Sequence, residues 1–277
     1  MTNIIALALL AAQLSSPSVT GNVANTLFGF FEKTEEFRET YEVPSGTQMQ
    51  VHNANGDIKI SQWTEDYVEV YARKKTNHGE EELSKVDIEV IIDDMMYVRT
   101  KYLEKNTRVS VNYTIRVPRS LVVQNVRTSN GNIDLKGTRG DTEVMTSNGD
   151  IDIKDVEGAV YVETSNGEID IEETAAVLEA HTSNGGVHVE IYSIPEEGTD
   201  ITTSNGSIDL RINDQLNADI NAATSMGKVY VKDLALESRF TATSVTSTVL
   251  KGKLGNGGSL INVGTSNGDV RLYGLTH

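Results

Sequence analysis

The sequence contains the stretch Thr146-Ser147-Asn148-Gly149-Asp150-Ile151-Asp152-Ile153, and near copies of it recur along the chain. Seven copies begin at the threonines Thr128, Thr146, Thr164, Thr182, Thr203, Thr224 and Thr265. The first three intervals are 18 residues each, the next two are 21 and the last is 41. Such a period is typical of a repeat protein, in which each unit packs against its neighbours. The double-length last interval predicts a degenerate copy near Thr243 or Ser244.

Each copy carries a period-two apolar pattern after its glycine. In the quoted copy Ile151 and Ile153 flank Asp152, and a second apolar pair, Val160 and Val162, precedes the next copy. Period two predicts β-strands with one buried face, and β-branched residues favour strands over helices. Each period is therefore expected to hold two short strands and two turns. The equivalent first pairs are Ile133/Leu135, Ile169/Ile171, Val187/Val189, Ile208/Leu210, Val229/Val231 and Val270/Leu272.

A unit of two short strands cannot bury its apolar face alone, so the copies are expected to stack. Each stacked copy would form one rung, and neighbouring rungs would lie about 4.8 Å apart with parallel hydrogen bonding between their strands. The predicted fold is all-β: a parallel β-solenoid, β-helix-like, with rungs of about 18–21 residues. Residues 46–127 hold one early copy at Asn55-Gly56 but otherwise longer alternating segments, which predict antiparallel strands. This region is expected to cap the N-terminal end of the solenoid.

The Asn-Gly pair of each copy predicts a sharp corner, because both residues tolerate positive φ. Stacked corners predict an amide ladder in which each side chain bonds to the next, formed by Asn130, Asn148, Asn166, Asn184, Asn205 and Asn267. Met226 replaces the asparagine in one copy and is expected to interrupt the ladder. Gly167→Val is predicted to strain a left-handed position, and Gly158→Ala is predicted to cost less.

Composition and the spacing of apolar residues divide the chain into four segments. Residues 1–18 resemble a signal peptide, with a short apolar run from Ile4 to Ala12 and small residues at Ser16-Pro17-Ser18. No charged side chain precedes the run, so a buried or frayed first helix is the alternative. Residues 19–45 are expected to be a linker and the first strand, residues 46–127 the N-terminal cap and residues 128–277 the repeat array. Export to the periplasm, envelope or exterior is expected, with a cytoplasmic location as the alternative.

Composition excludes several classes of function. The net charge of −16 repels phosphate backbones and anionic lipid surfaces, so no nucleic-acid partner is expected. Beyond residues 1–18, no segment is apolar enough to span a membrane. The absence of cysteine from the sequence excludes disulfides, thiolate metal sites and cysteine nucleophiles. No histidine pair has metal-ligand spacing and no serine lies in a Gly-x-Ser-x-Gly elbow, so neither catalytic residues nor a cofactor are predicted.

The residues between the apolar pairs form an outward column of Asp134, Asp152, Asp170, His188 and Asp209. Adjacent carboxylates about 5 Å apart repel by roughly 1 kcal/mol in water, and Ca²⁺ requires clustered oxygen ligands. Lys136 and Lys154 are expected to neutralise the first two rungs, whereas the third has no local cation. The candidate cation cluster is therefore Asp152, Glu168, Asp170 and Glu172, with Glu173 beside it. The expected state is a solvated acidic face without a bound metal, and cation binding by this cluster is the alternative.

The repeated Thr-Ser-Asn-Gly-x-Ile-Asp-Ile unit is accompanied by an early Asn55–Trp63 copy and an Ile115-Arg116-Val117-Pro118 strand. Together they resemble the prokaryotic "putative adhesin" family of β-strand-repeat proteins, a domain of unknown function that is similar in style to head-domain autotransporter-adhesin-like proteins. The resemblance covers about residues 46–277. It implies a β-helix-like fold and frequent placement in the cell envelope, and it supplies no catalytic or binding residues.

These observations favour a non-enzymatic envelope or surface protein, adhesin-like, that binds a protein or a glycan through the flat faces of the solenoid. Two alternatives stay open. The first is an accessory or regulatory partner of a membrane protein in envelope stress. The second is a polysaccharide-active β-helix enzyme, which would need a basic residue beside the acidic column; Arg211 is the near candidate.

Overall fold

The computed structural model describes residues 32–238 and 248–275. Within them, 23 strands form two sheets that share one hydrophobic core. We call the 11-stranded sheet "sheet A" and the 12-stranded sheet "sheet B". The predicted all-β class, with mostly parallel strands, is confirmed. The expected signal peptide and the degenerate copy near Thr243 lie outside the described residues.

Strand numbers follow chain order, whereas the strands of each sheet are named in the order in which they lie side by side. Sheet A contains β1 (Lys33–Glu42), β4 (Tyr67–Thr76), β7 (Ser110–Pro118), β3 (Ile58–Trp63), β9 (Ile133–Lys136), β11 (Ile151–Lys154), β13 (Ile169–Glu172), β15 (Val187–Ile191), β17 (Ile208–Asn213), β23 (Val270–Leu275) and β19 (Val229–Lys232). Sheet B contains β20 (Leu236–Ser238), β21 (Val249–Leu254), β18 (Ala218–Met226), β22 (Leu260–Asn267), β16 (Thr199–Asn205), β14 (Ala176–Asn184), β12 (Ala159–Asn166), β10 (Thr142–Met145), β8 (Val122–Arg127), β2 (Gln48–His52), β6 (Met96–Tyr102) and β5 (Val86–Ile92).

The motif copies stack on one another in register. Each copy contributes the strand before its Asn-Gly turn to sheet B and the strand after it to sheet A. Ile151 of β11 lies between Ile133 and Ile169, and all three side chains are buried. Because equivalent residues of the copies pair with one another, the same face of every strand lies on the core. The early copy at Asn55 belongs to this stack, because β3 pairs with β9 and β2 pairs with β8.

The last copy stacks out of sequence order. Its strands β22 and β23 lie between those of the copies that begin at Thr203 and Thr224. Asn267 therefore pairs with Asn205 on one side and with Met226 on the other. The expected interruption of the ladder by Met226 is wrong: the inserted copy separates Met226 from Asn205, so Met226 stands at the end of the asparagine row.

Antiparallel pairs occur at both ends of the parallel stack. At one end, β1 pairs with β4 and β4 with β7, while β5 pairs with β6 in sheet B. A 3₁₀ helix at Glu80–Lys85 buries Leu83 against this end. At the other end, β21 pairs with both β18 and β20. Among the described residues, no helix has the length and apolar character needed to cross a membrane.

The threonine and asparagine of the motif bond each corner to the preceding rung. Thr164 is buried, and its hydroxyl donates to the carbonyl oxygen of Gly149 at 3.1 Å. The side-chain amide Nδ2 of Asn148 donates to Oδ1 of Asn130 at 2.9 Å. Equivalent amide bonds run from Asn130 to Asn55, Asn166 to Asn148, Asn184 to Asn166, Asn205 to Asn184 and Asn267 to Asn205.

The glycine of the motif is required because the backbones of adjacent rungs approach closely. A Cβ atom on Gly167 would overlap the carbonyl oxygen of Gly149, although φ of Gly167 lies outside the left-handed region. Left-handed strain is therefore the wrong reason for this glycine. A Cβ atom on Gly158 would overlap the carbonyl oxygen of Gly140 in the same way, but less closely than one on Gly167 would overlap that of Gly149, so the smaller cost of Gly158→Ala stays a prediction.

Thr164→Val is expected to lower the free energy of unfolding by about 1 kcal/mol, because it leaves the partly buried carbonyl of Gly149 without its donor. Urea unfolding followed by circular dichroism would measure this loss. The neighbouring Ser165 is exposed, so Ser165→Ala should leave the midpoint nearly unchanged. Equal midpoints for Thr164→Val and the parent protein would show that the bond adds nothing to stability.

Candidate functional site

Outward side chains of sheet A form a column that crosses the strands. It takes the residue between the two apolar positions of each copy, and strand register places its members side by side: Lys59, Asp134, Asp152, Asp170, His188, Asp209, Arg271 and Tyr230. Adjacent members lie on strands about 4.8 Å apart. The column therefore has carboxylates in its middle and a cation towards each end.

The charged residues towards the ends of the column form ion pairs. Lys59 contacts Asp134 through its ammonium group. On the other side, Nη1 of Arg271 lies 3.2 Å from Oδ1 of Asp209, and Nδ1 of His188 lies 3.3 Å from Oδ2 of the same carboxylate. These pairs are partly exposed, so each adds little stability, but they fix the positions of the side chains.

The two central carboxylates differ from the rest of the column. Among the described residues, the side chains of Asp152 and Asp170 have neither a hydrogen bond nor an ion pair. Partial burial, followed by the charge of Asp134, raises the pKa of Asp152. Partial burial, followed by the charge of Glu172, raises the pKa of Asp170. Both aspartates therefore carry negative charge that is incompletely compensated.

An open groove of about 620 Å³ lies over this part of sheet A. Arg211 lies in it and is held by Glu190, with 3.3 Å between Nη1 and Oε1. The half-exposed ring of Tyr273 and the imidazole of His188 also line the groove. The lining thus holds one guanidinium and five carboxylates, so carboxylates outnumber cations in it. The five belong to Glu168, Asp170, Glu172, Glu190 and Asp209.

The prediction that the third rung lacks a local cation is wrong. Nζ of Lys154 lies 2.8 Å from Oε2 of Glu172 and 3.3 Å from Oε1 of Glu173. The hydrogen bond from Lys154 lowers the pKa of Glu172. Strand register places Lys154 directly beside Glu172, so the lysine neutralises the following rung and leaves Asp152 of its own rung without an ion pair.

These contacts divide the candidate cation cluster of Asp152, Glu168, Asp170 and Glu172. Glu168 is bound to His188, with 2.7 Å between Oε1 and Nε2, and Glu172 is bound to Lys154. Within residues 32–238 and 248–275, no group of three or more His, Asp or Glu side chains is arranged to hold a metal ion. The remaining pair of aspartates can attract a positively charged group. The turn-ladder asparagines lie at the corners between the sheets, outside the lining of the groove.

Sequence reasoning missed Arg271 and Tyr273 as members of this site. Both follow the last Asn-Gly turn, and sequence order would place them beyond the Thr224 copy. Insertion of the last copy instead puts Arg271 beside Asp209 and Tyr273 beside Arg211. The signal that could have found them is the 41-residue interval before Thr265, which leaves enough chain for the last copy to return to an inner position.

The fold and the site define a two-sheet, parallel β-repeat protein with an acidic outward groove. The chain belongs to the Toastrack DUF4097 family, whose model matches residues 18–273. This result confirms the family resemblance found in the repeat motif. No curated protein matches the sequence significantly.

Several solved structures match this chain over most of its length but share little sequence with it. A "putative cell adhesion protein" from Clostridium sporogenes ATCC 15579 is 10% identical, with a TM-score of 0.37, and the match covers 88% of this chain and 100% of that one. A "putative adhesin" from Bacteroides fragilis NCTC 9343 is 12% identical, with a TM-score of 0.41 and coverage of 87% and 97%. A "putative lipid binding protein" from Parabacteroides distasonis ATCC 8503 is 12% identical, with a TM-score of 0.31 and coverage of 88% and 97%.

Asp152→Asn is expected to stabilise the protein at pH 7 by up to about 1 kcal/mol, the repulsion of one carboxylate pair about 5 Å apart in water. Because folding raises the pKa of Asp152, this group favours the folded state at low pH and loses that contribution as the pH rises through the raised value. The gain should therefore vanish near pH 3. Thermal melts of both proteins at pH 3 and pH 7 would measure it.

The control for this prediction is Asp209→Asn, which removes a carboxylate of the same column that is bound to Arg271 and His188. It should leave stability at pH 7 unchanged or lower it. A stabilisation by Asp209→Asn equal to that by Asp152→Asn would show that general charge reduction, rather than the unpaired aspartate, accounts for the effect.

Proposed function

We propose that this chain is a non-enzymatic, adhesin-like binding protein of the cell envelope. Its ligand is an extended glycan that carries amino groups, bound along the acidic groove of sheet A. The single observation that carries the proposal is the excess of groove carboxylates over cations, centred on Asp170 and its neighbour Asp152. Envelope placement follows from the family resemblance, and the proposal includes export.

Charge supports an amine-bearing ligand. An ammonium group that enters the groove would meet Asp170, whose carboxylate has no ion-pair partner among the described residues. Partial burial, followed by the charge of Glu172, raises the pKa of Asp170, and a ligand ammonium beside it would favour the charged carboxylate. Ligand binding is therefore expected to weaken as salt concentration rises.

The shape and lining of the groove favour a glycan over a peptide. Tyr273 offers an aromatic ring for stacking, and polar side chains recur on strands about 4.8 Å apart. An extended peptide that ran along the stack would present same-face side chains about 6.6 Å apart, which does not match the rungs. A chain of sugar rings can offer a polar group to each rung in turn.

The contacts of His188 support a binding role over a catalytic one. Its Nε2 lies 2.7 Å from Glu168 and its Nδ1 lies 3.3 Å from Asp209, so both ring nitrogens are engaged by carboxylates. A general base needs a ring nitrogen that can reach the substrate. The imidazole instead holds two carboxylates of the groove in place.

The finer architecture is part of the same proposal. The stacked two-strand copies form a β-solenoid with rungs of about 18–21 residues. The antiparallel strands β1, β4, β5 and β6, with the 3₁₀ helix, cap its N-terminal end. Offsets of 18 residues between Ile151 and Ile169 and of 21 between Val187 and Ile208 support this rung size. The cap keeps the open sheet ends from pairing with other chains.

Titration calorimetry with glucosamine oligomers tests the proposal. The protein should bind oligomers with free amino groups and should not bind N-acetylated oligomers of the same length. Asp170→Asn should weaken binding about fivefold, because one charge pair at 4–5 Å in water contributes about 1 kcal/mol.

A matched control is Glu179→Gln, which removes one negative charge from the outward face of sheet B and should leave the affinity unchanged. Equal binding of the acetylated and the free-amine oligomers would contradict the role of charge. Binding of oligolysine without binding of glucosamine oligomers would replace the glycan with a peptide.

A further inference from the structure

We propose that Asn256, in the turn between β21 and β22, is a site of spontaneous deamidation, and that stacking protects the other Asn-Gly pairs of the chain. The sequence contains eight Asn-Gly pairs, of which seven belong to motif copies. The eighth, Asn256-Gly257, lies outside the motif. The inference does not depend on the proposed glycan ligand.

Deamidation requires that the asparagine side chain and the backbone nitrogen of the following glycine can both move. The backbone nitrogen of the glycine loses its proton and attacks Cγ of the asparagine side chain. A new C–N bond closes a cyclic imide, the Cγ–Nδ2 bond breaks and ammonia leaves with the proton. Water then opens the imide at either carbonyl and yields aspartate or isoaspartate. Glycine favours the attack because no side chain shields its nitrogen.

In the motif copies both reacting groups are engaged with neighbouring rungs. Nδ2 of Asn148 donates to Asn130 at 2.9 Å, and Oδ1 of Asn148 accepts a bond from Asn166 at 3.0 Å. The attacking nitrogen, that of Gly149, donates its N–H to the carbonyl oxygen of Asn166 at 2.9 Å. Attack therefore requires adjacent rungs to separate. Such an opening is close to global unfolding, because the rungs are the central strands of both sheets.

Asn256 lacks these restraints. Its side chain is exposed and, in the described part of the chain, the side-chain amide makes no hydrogen bond, while its backbone N–H donates to Oδ1 of Asn217 at 2.8 Å. The N–H of Gly257 donates to the carbonyl oxygen of Leu254 at 3.1 Å, a bond within the turn itself. A hydrogen bond within a turn opens without separating strands, and this opening costs a small fraction of the free energy of global unfolding. Glycines at 255, 257 and 258 leave the turn free to reach the cyclic geometry.

Peptide mapping by mass spectrometry tests this inference on the full chain. The folded protein is incubated at pH 8 and 37 °C, and a second sample is incubated in urea. In the folded sample, the peptide that contains Asn256 should deamidate at a rate within about tenfold of its rate in urea. The seven motif peptides should deamidate at least about a hundredfold more slowly than in urea.

Two variants sharpen the test. Asn256→Gln should remove the early product, because glutamine would have to close a larger ring, and should leave the motif peptides unchanged. Gly167→Ala, which separates adjacent rungs at Gly149, should speed deamidation of Asn148 and Asn166 and leave Asn256 unaffected. Survival of Asn256 in the folded protein, or native deamidation of the motif asparagines at the urea rate, would overturn the inference.

Discussion

Ile153→Asp is expected to abolish folding of the stacked copies. Ile153 is 1% exposed and lies in the shared core between Leu135 and Ile171 of the adjacent strands. An unpaired carboxylate at this position costs several kcal/mol on top of the lost apolar burial. That loss is comparable with the total stability of about 5–15 kcal/mol for a domain. Circular dichroism and gel filtration should show loss of the β signal and of the compact form.

Tyr230→Asp is the matched control, because it adds a carboxylate at a sheet A position that is 45% exposed. This variant should remain folded and elute with the parent protein. A soluble Ile153→Asp variant with unchanged circular dichroism would contradict the assignment of Ile153 to the core.

Gly167→Ala is expected to lower the free energy of unfolding by about 3 kcal/mol, the upper part of the range for overpacking. The added methyl group would overlap the carbonyl oxygen of Gly149, which belongs to the hydrogen-bonded backbone of the adjacent rung and cannot move alone. Urea unfolding of the purified variant would give the loss directly.

Gly264→Ala provides a control within the same stack. A Cβ atom on Gly264 would meet Cγ2 of Thr202 at 3.8 Å, an ordinary van der Waals contact. This variant should match or slightly exceed the parent in stability, because alanine restricts the unfolded chain. Equal losses at Gly167 and Gly264 would refute the explanation by close backbone approach.

Much of the fold follows from the repeat itself. Apolar pairs at period two predict strands with one buried face, and residues such as Ile151 and Ile153 are buried as this pattern requires. A constant period places like residues of successive copies side by side, which predicts the parallel pairing of β9, β11 and β13. These inferences succeed because they depend on local pattern alone.

The order of the copies could not be predicted in the same way. The strands that follow Gly206, Gly227 and Gly268 carry equivalent apolar pairs, so each can pair with either of the others. The entropy of closing a longer loop changes only slowly with its length, so it does not forbid a copy from returning to an inner position. Only the structure could therefore show which of these strands are neighbours.

The sequence predicted the candidate site only in part. The outward column from Asp134 to Asp209 follows from strand register and was visible in the sequence. Its ion pairs depend on how far each side chain reaches: Lys154 spans to Glu172 on the next strand, and Arg271 arrives from the inserted copy. Side-chain reach and copy order together decide which carboxylates stay unpaired.

Cross-linking of engineered cysteines tests most directly the central claim, that the copies stack in parallel with the last one inserted. The chain contains no cysteine, so paired substitutions give a clear result. Asp200 lies beside Asn262, on strands about 4.8 Å apart, within the range that a disulfide spans. Asn221 lies one strand further, about 9.6 Å from Asp200 and beyond that range.

Asp200→Cys with Asn262→Cys should therefore form an intramolecular disulfide in the folded protein, seen as a mobility shift without reductant and by mass spectrometry. Asp200→Cys with Asn221→Cys should stay reduced under the same oxidation. A cross-link between positions 200 and 221, with none between 200 and 262, would show that the copies stack in sequence order and would contradict the structure described for both the fold and the groove.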